Sequence, residues 1–193
     1  MFLKLAFSPI FTVIPTTNIH RKLLRFVMTN ALTQACLQNV RQNVSMYAEA
    51  NPSSLLVVVS LGVQAFQKEL MKACGGAHGV KEIHEAVDIV KSCGVENWSV
   101  DLISSLPHQT LNMWEESLEL AIQIQPTHVS VYDLQVEQGT KFGALFTPGE
   151  FPLPSENQSA EFYKMASRMP RDAGYDLSLP MNYAYDLSCT SPT

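Results

Sequence analysis

The 193-residue chain has no acidic residue in its first 48 positions, no C-x-x-C pair, and nothing close to an uninterrupted apolar span. Each absence excludes something. The four cysteines stand at 36, 74, 93 and 189. Those wide, irregular spacings do not suit zinc ribbons, thioredoxin-like redox pairs or iron–sulfur loops. Four scattered thiols fit a reducing compartment better than a disulfide framework. No run approaches the ~20 apolar residues needed to cross a bilayer, so no membrane span is expected. "CGGAHG" holds three glycines but lacks the G-x-G-x-x-G pattern after a strand, and no serine nucleophile elbow occurs. His, Cys and carboxylates form no group with metal-ligand spacing, so neither a metal ligand nor a catalytic residue is assigned. The net charge of −5 gives no general basic field for nucleic acid.

What is present is a globular composition, 46% hydrophobic and 16% charged, in a chain long enough for a sizeable core. The charge is unevenly placed. Residues 1–48 carry Lys4, Arg21, Lys22, Arg25 and Arg41, which leaves the remainder with 8 basic and 18 acidic residues. An acid-free, mildly basic, Ser/Thr-containing start resembles an organellar transit peptide. The expected address is a chloroplast or mitochondrion, and otherwise the cytoplasm. Pro9 and Pro15 interrupt "LAFSPIFTVIP", which argues against a secretory signal. The expected organisation is an irregular leader over 1–50, an α/β unit over 51–150, and a helical segment with a tail over 151–193.

From residue 55 the pattern becomes regular. "LLVVVSLGV" (55–63) is a short β-branched run and predicts a buried strand. In "VKEIHEAVDIVKSCG" (80–94), Ile83, Ala86, Val87 and Val90 fall at helical spacing, and Gly94 stands where a C-terminal glycine belongs. "NWSVDLIS" (97–104) predicts a second strand. A helix follows over 110–124, with Thr110 as its cap, a stripe of Leu111, Trp114, Leu118, Ala121 and Ile122, and Pro126 as its stop. "HVSVYDLQV" (128–136) predicts a third strand. Ser155 and Gln158 suggest a capping box for a last helix, roughly 156–169, ended by Pro170. Strand–helix–strand–helix–strand at this spacing means parallel strands with crossover helices. An open doubly wound sheet and a barrel remain equally open on periodicity.

In parallel α/β folds, ligands meet the C-terminal ends of strands. Gln64 follows the first strand, Asp101 lies late in the second, and Asp133, Gln135 and Glu137 lie at the end of the third. Their spacing would let them converge on one mouth. The structural alternative is that Gln64 and Asp101 satisfy loop amides or a buried hydroxyl. The histidines at 78, 84, 108 and 128 occupy loop, helix-surface and element-start positions, where bland roles are commonest.

Five blocks carry a resemblance: "SLGVQAF" (60–66), "GGAHGVKE" (75–82), "SVDLISSLPHQT" (99–110), "PTHVSVYDLQVEQGTKFG" (126–143) and "PLPSENQSAEFY…AGY" (152–175). In this order they resemble the HemW-like branch of radical S-adenosylmethionine proteins, labelled oxygen-independent coproporphyrinogen III oxidase-like or heme chaperones. "SCGVENWSVDLISSLPHQT" looks like the plant form. The resemblance implies an α/β fold, a partial radical-SAM (β/α) barrel, and a link to heme or porphyrin metabolism. It implies S-adenosylmethionine and a [4Fe–4S] cluster as cofactors. It makes Gln64 and Asp101 contacts to S-adenosylmethionine, and "AEANP" (48–52) makes Glu49 a third.

The sequence also departs from that family. The C-x-x-x-C-x-x-C loop that holds the cluster is absent from these 193 residues, as is a "GGGTP" segment. The cluster is therefore not expected to bind here, and radical chemistry is not expected. The family arginine falls at Gly76, and the tail after Tyr175 leaves the family pattern. The alternative reading is a truncated, non-catalytic binding or interaction module, whose open barrel edges would call for a partner chain. An unrelated doubly wound protein would have shown a Gly-rich phosphate loop after the first strand, and none is present.

Overall fold

A computed structural model describes residues 12–14, 22–28, 42, 55–73, 79–136, 141–178 and 184–189. Its elements run β1 (Thr12–Ile14), β2 (Lys22–Met28), β3 (Leu55–Gln64), α1 (Lys68–Ala73), α2 (Val80–Ser92) and β4 (Asn97–Ser104). They continue as α3 (Leu111–Gln123), β5 (His128–Asp133), α4 (Lys141–Leu145), α5 (Glu156–Asp172), β6 (Tyr175–Ser178) and β7 (Ala184–Cys189). The described strands form one seven-stranded open sheet in the order β1-β2-β3-β4-β5-β7-β6. Strands β2 to β5 are parallel neighbours. The expected α/β architecture of parallel strands with crossover helices is what the chain adopts.

The helices begin and end where their local chemistry sets the boundaries. The Thr110 hydroxyl accepts from the Met113 amide at 3.2 Å, at the start of α3. The Ser155 hydroxyl accepts from the Gln158 amide while the Gln158 side chain accepts from the Ser155 amide, a complete capping box on α5. At the end of α2, Gly94 (φ +68°) bonds back to Lys91 and Val95 bonds back to Val90. That double closure is a Schellman motif, and it needs the left-handed backbone that glycine adopts without strain.

Alternation along the strands separates two faces. Val59, Leu61 and Val63 of β3, Trp98, Val100 and Leu102 of β4, and Val129 and Val131 of β5 share one core. The stripe Ile83, Ala86, Val87 and Val90 of α2 packs into it, as do Trp114, Leu118 and Ala121 of α3 and Phe162 and Ala166 of α5. Trp114 is fully buried, donates its indole N–H to the Phe162 carbonyl at 2.9 Å, and meets the Phe162 ring edge-on at 6.2 Å. Each such large side chain contributes about 1.5–3 kcal/mol by burial.

Several boundaries differ from the sequence expectation. Two strands lie within the segment expected to be an irregular leader. "KLLRFVM" shows no face-to-face alternation, and its strand state comes from pairing with β3 along Lys22–Met28. The third predicted strand stops at Asp133 rather than 136. Pro170 does not end the last helix, which runs to Asp172. The proline gives up its own bond to the Ala166 carbonyl, but Pro170 continues the buried stripe of Phe162 and Ala166, and that packing keeps it in the helix. Leu111 is exposed at the first position of α3, and Ser117 takes a buried place on that helix instead. The tail after Tyr175 holds two strands. A right-handed β5–α5–β6 crossover would seat β6 beside β5, but β7 occupies that place and pairs antiparallel with both.

Candidate functional site

Opposite the helix-covered core, β3, β4 and β5 present small and polar side chains. Ser60 and Gly62 alternate with the core residues of β3, Ser99 and Asp101 with those of β4, and Ser130 with those of β5. The register pairs Ser60 with Ser99, and Gly62 with Asp101, which in turn pairs with Ser130. All of these positions are buried, Asp101 to 6% exposure. The strands are parallel, and Asp101 stands mid-strand, three residues short of the C-terminal end of β4.

A carboxylate at this depth needs compensation. The Ser60 hydroxyl supplies part of it, donating to Asp101 Oδ2 at 2.7 Å. A hydrogen bond to a charged acceptor contributes about 1.5–3 kcal/mol. The buried-hydroxyl alternative raised from the sequence is thus realised for one carboxylate oxygen. Ser60 itself was missed as a site residue. The signal was present, because Ser60 and Gly62 are small residues at alternate positions in an otherwise β-branched run.

Gln64 ends β3 and is half-buried. The ladder shifts between Gly62 and Gln64, which pair with Asp101 and Leu102 respectively. From strand spacing and rise, the Gln64 and Asp101 Cα atoms are roughly 6–8 Å apart. Gln64 has φ +68°, and Ser105, immediately after β4, has φ +62°. Left-handed backbone at a non-glycine residue costs of order 1 kcal/mol or more. Two such residues therefore mark adjacent strand ends at this mouth. The small apolar cluster of Ala65, Leu70 of α1 and Leu106 lies on the segments that follow these strands.

The ladder sets Gln64 against Leu102, a core-face residue, and not against Asp101. The other sequence candidates lie elsewhere. Asp133 does not converge on Asp101. Its carboxylate accepts from Ser104 at 2.9 Å and from Gln135 at 3.2 Å. The physical reason is pleat parity. Asp133 pairs in register with Ser104, three residues beyond Asp101 and hence on the opposite face. His108 is exposed, bonds through its amide to the Pro152 carbonyl at 2.7 Å, and lays its ring edge-on to Phe151. His84 is exposed on α2, and His128 starts β5, at the far end from the mouth. Gln109 is buried and braces its own turn, accepting from the Leu106 amide at 3.1 Å. Glu49, His78, Gly76 and Glu137 lie outside the described residues.

Residues 25–121, half of the chain, match the model of the Radical SAM superfamily. The chain belongs to that superfamily. It is 40% identical over 116 residues to the heme chaperone HemW of Synechocystis sp., an alignment covering 60% of this chain and 28% of that protein. It is 32% identical over 117 residues to HemW of Escherichia coli, covering 61% and 30%. It is 27% identical over 125 residues to radical S-adenosyl methionine domain-containing protein 1, mitochondrial, of Danio rerio, covering 65% and 28%. Among solved structures, coproporphyrinogen III oxidase HemN from Escherichia coli superposes with TM-score 0.65 at 17% identity, covering 86% of this chain and 35% of that one. The chain spans less than a third of the length of the curated relatives named above. The HemW-like radical SAM resemblance read from the sequence blocks holds.

The superfamily implies two groups, and the residues present fit them unequally. The buried Asp101, flanked in register by Gly62 and Ser130, offers a carboxylate acceptor among small neighbours, suited to the hydroxyl and ammonium donors of S-adenosylmethionine. The cluster fits poorly. The cysteine spacings supply no C-x-x-x-C-x-x-C loop. Of the cysteines at described positions, Cys93 caps α2 and Cys189 ends β7 beside the start of β5, so neither stands at the C-terminal ends of β3 and β4. No group of three or more His, Cys, Asp or Glu able to hold a metal occurs among the described residues, and no described helix is long and apolar enough to cross a membrane.

Proposed function

We propose that this chain is a HemW-like radical SAM family member linked to heme or porphyrin metabolism, which binds S-adenosylmethionine at the C-terminal ends of β3 and β4 without carrying out radical chemistry. The observation that supports the reading is the buried Asp101 carboxylate, held by Ser60 and flanked by small residues at the mouth of a radical SAM sheet. Asp101 would accept hydrogen bonds from the ligand's hydroxyl or ammonium donors. Gln64, on its left-handed strand end, would offer an amide that both donates and accepts. Glu49 is the third proposed contact. In radical SAM chemistry the ligand supplies a radical when a cluster reduces it, and the protein's part is to orient it and exclude side reactions. Lacking a fitting cysteine set, this chain keeps the orienting part alone.

The test is isothermal titration of the purified chain with S-adenosylmethionine. Binding is expected, weakened at least about tenfold in Asp101→Asn and in Gln64→Ala, as loss of one ligand hydrogen bond to a buried group predicts. Unchanged affinity in both variants would overturn the assignment.

A second reading is a non-catalytic binding or interaction module, favoured by the open seven-stranded sheet that β1 and β6 edge. A partner chain would then cover those edges. We place the protein in the mitochondrion, which the Danio rerio and Mus musculus relatives named as mitochondrial favour. Nothing in the relatives favours a chloroplast. Heme or a porphyrin is the proposed cargo, as the HemW name of the relatives suggests.

A further inference from the structure

Ser60 is fully buried on the polar face of β3, and its hydroxyl lies 2.7 Å from Asp101 Oδ2, across 41 residues of sequence. The two are diagonal neighbours, because Asp101 pairs in register with Gly62, two positions beyond Ser60. The final torsion of an aspartate is broad, with no sharp staggered wells to fix the carboxylate plane. Ordinarily packing restricts it. Here the register neighbours of Asp101 are Gly62 on one side and Ser130 on the other, and neither brings a large side chain. The 2.7 Å contact from the Ser60 hydroxyl is of the strong, directional kind, and it fixes the place of Oδ2.

We propose that Ser60 is a positioning residue, whose hydroxyl sets the plane of the Asp101 carboxylate and hence the direction in which it meets the hydroxyl and ammonium donors of S-adenosylmethionine. The proposal rests on the ligand assignment made above. Ser60 makes no contact with the ligand itself. Its removal acts through Asp101, so its effect should vanish when Asp101 is already altered.

The experiment has two arms on the full chain. The first needs no ligand. The side-chain carboxyl carbon of Asp101, assigned by its loss in Asp101→Asn, is followed by 13C NMR. Its resonance should move in Ser60→Ala and return in Ser60→Thr, which keeps the donor. An unmoved resonance in Ser60→Ala overturns the positioning role, whatever the ligand. The second arm is titration with S-adenosylmethionine. Ser60→Ala should weaken binding about tenfold, which is ~1.4 kcal/mol. Ser60→Thr should restore it, and Ser60→Ala should add nothing in the Asp101→Asn background. Independent, additive losses in the double variant would overturn the proposal. If the resonance moves but neither Ser60→Ala nor Asp101→Asn alters binding, the ligand assignment has failed while the hydrogen bond stands. Thermal unfolding of each variant guards against simple misfolding, and a Ser60→Ala loss that tracks a collapsed unfolding midpoint counts against positioning.

Discussion

Replacing Trp114 by phenylalanine should destabilise the chain while leaving the polar face untouched. Trp114 is fully buried, and its indole N–H donates to the Phe162 carbonyl at 2.9 Å. Losing that hydrogen bond costs about 1 kcal/mol. The missing half of the indole removes buried apolar area and leaves a cavity between α3 and α5, a further loss of about 1–2 kcal/mol. The total is about 2–3 kcal/mol. For a chain of this size, each kcal/mol lowers the midpoint by about 2–4 °C, so Trp114→Phe should melt roughly 5–10 °C below the parent in calorimetry or circular dichroism. The edge-on contact with Phe162 adds a coupling. A double-mutant cycle of Trp114→Leu with Phe162→Leu, in which each change removes a ring, should return about 0.5–1.5 kcal/mol of interaction. Affinity for S-adenosylmethionine should be unchanged, because Trp114 packs on the helix-covered face and Asp101 on the other. A midpoint within about 2 °C of the parent, or strictly additive losses, would refute this account of the α3–α5 packing.

Two further outcomes are expected. Gly94→Ala should cost about 1 kcal/mol in thermal unfolding, because φ is +68° there and no atom lies within 4 Å of an added Cβ, so backbone strain alone acts; a neutral result would contradict the Schellman assignment. The chain reconstituted anaerobically with iron and sulfide should show neither a [4Fe–4S] absorption band nor cleavage of S-adenosylmethionine; both together would overturn the non-radical reading.

How far the sequence led depended on the range of the interactions. The β4 strand over 97–104 and the apolar stripe of α2 were legible because alternation and helical spacing are local. The caps Thr110 and Ser155 were legible for the same reason. Asp101 stood out because an acid in an apolar run demands a partner. That the partner is Ser60 was not legible, since 41 residues and a strand register lie between them. Asp133 was misplaced by counting nearness to the strand end and neglecting parity, which sends it to Ser104 on the opposite face. Pro170 was read as a stop, although its place on the buried stripe of Phe162 and Ala166 keeps it in the helix. The strand β2 exists through pairing with β3, and no local periodicity announces it, whereas the alternation of Tyr185, Leu187 and Cys189 with Asp186 and Ser188 in β7 was there to be read.

The most direct measurement is chemical-shift mapping by NMR of the chain titrated with S-adenosylmethionine. The account predicts that the largest shifts fall on Gly62 to Gln64 and on Asp101, and that they disappear in Asp101→Asn. Shifts concentrated elsewhere, with the β3 and β4 ends silent, would contradict it.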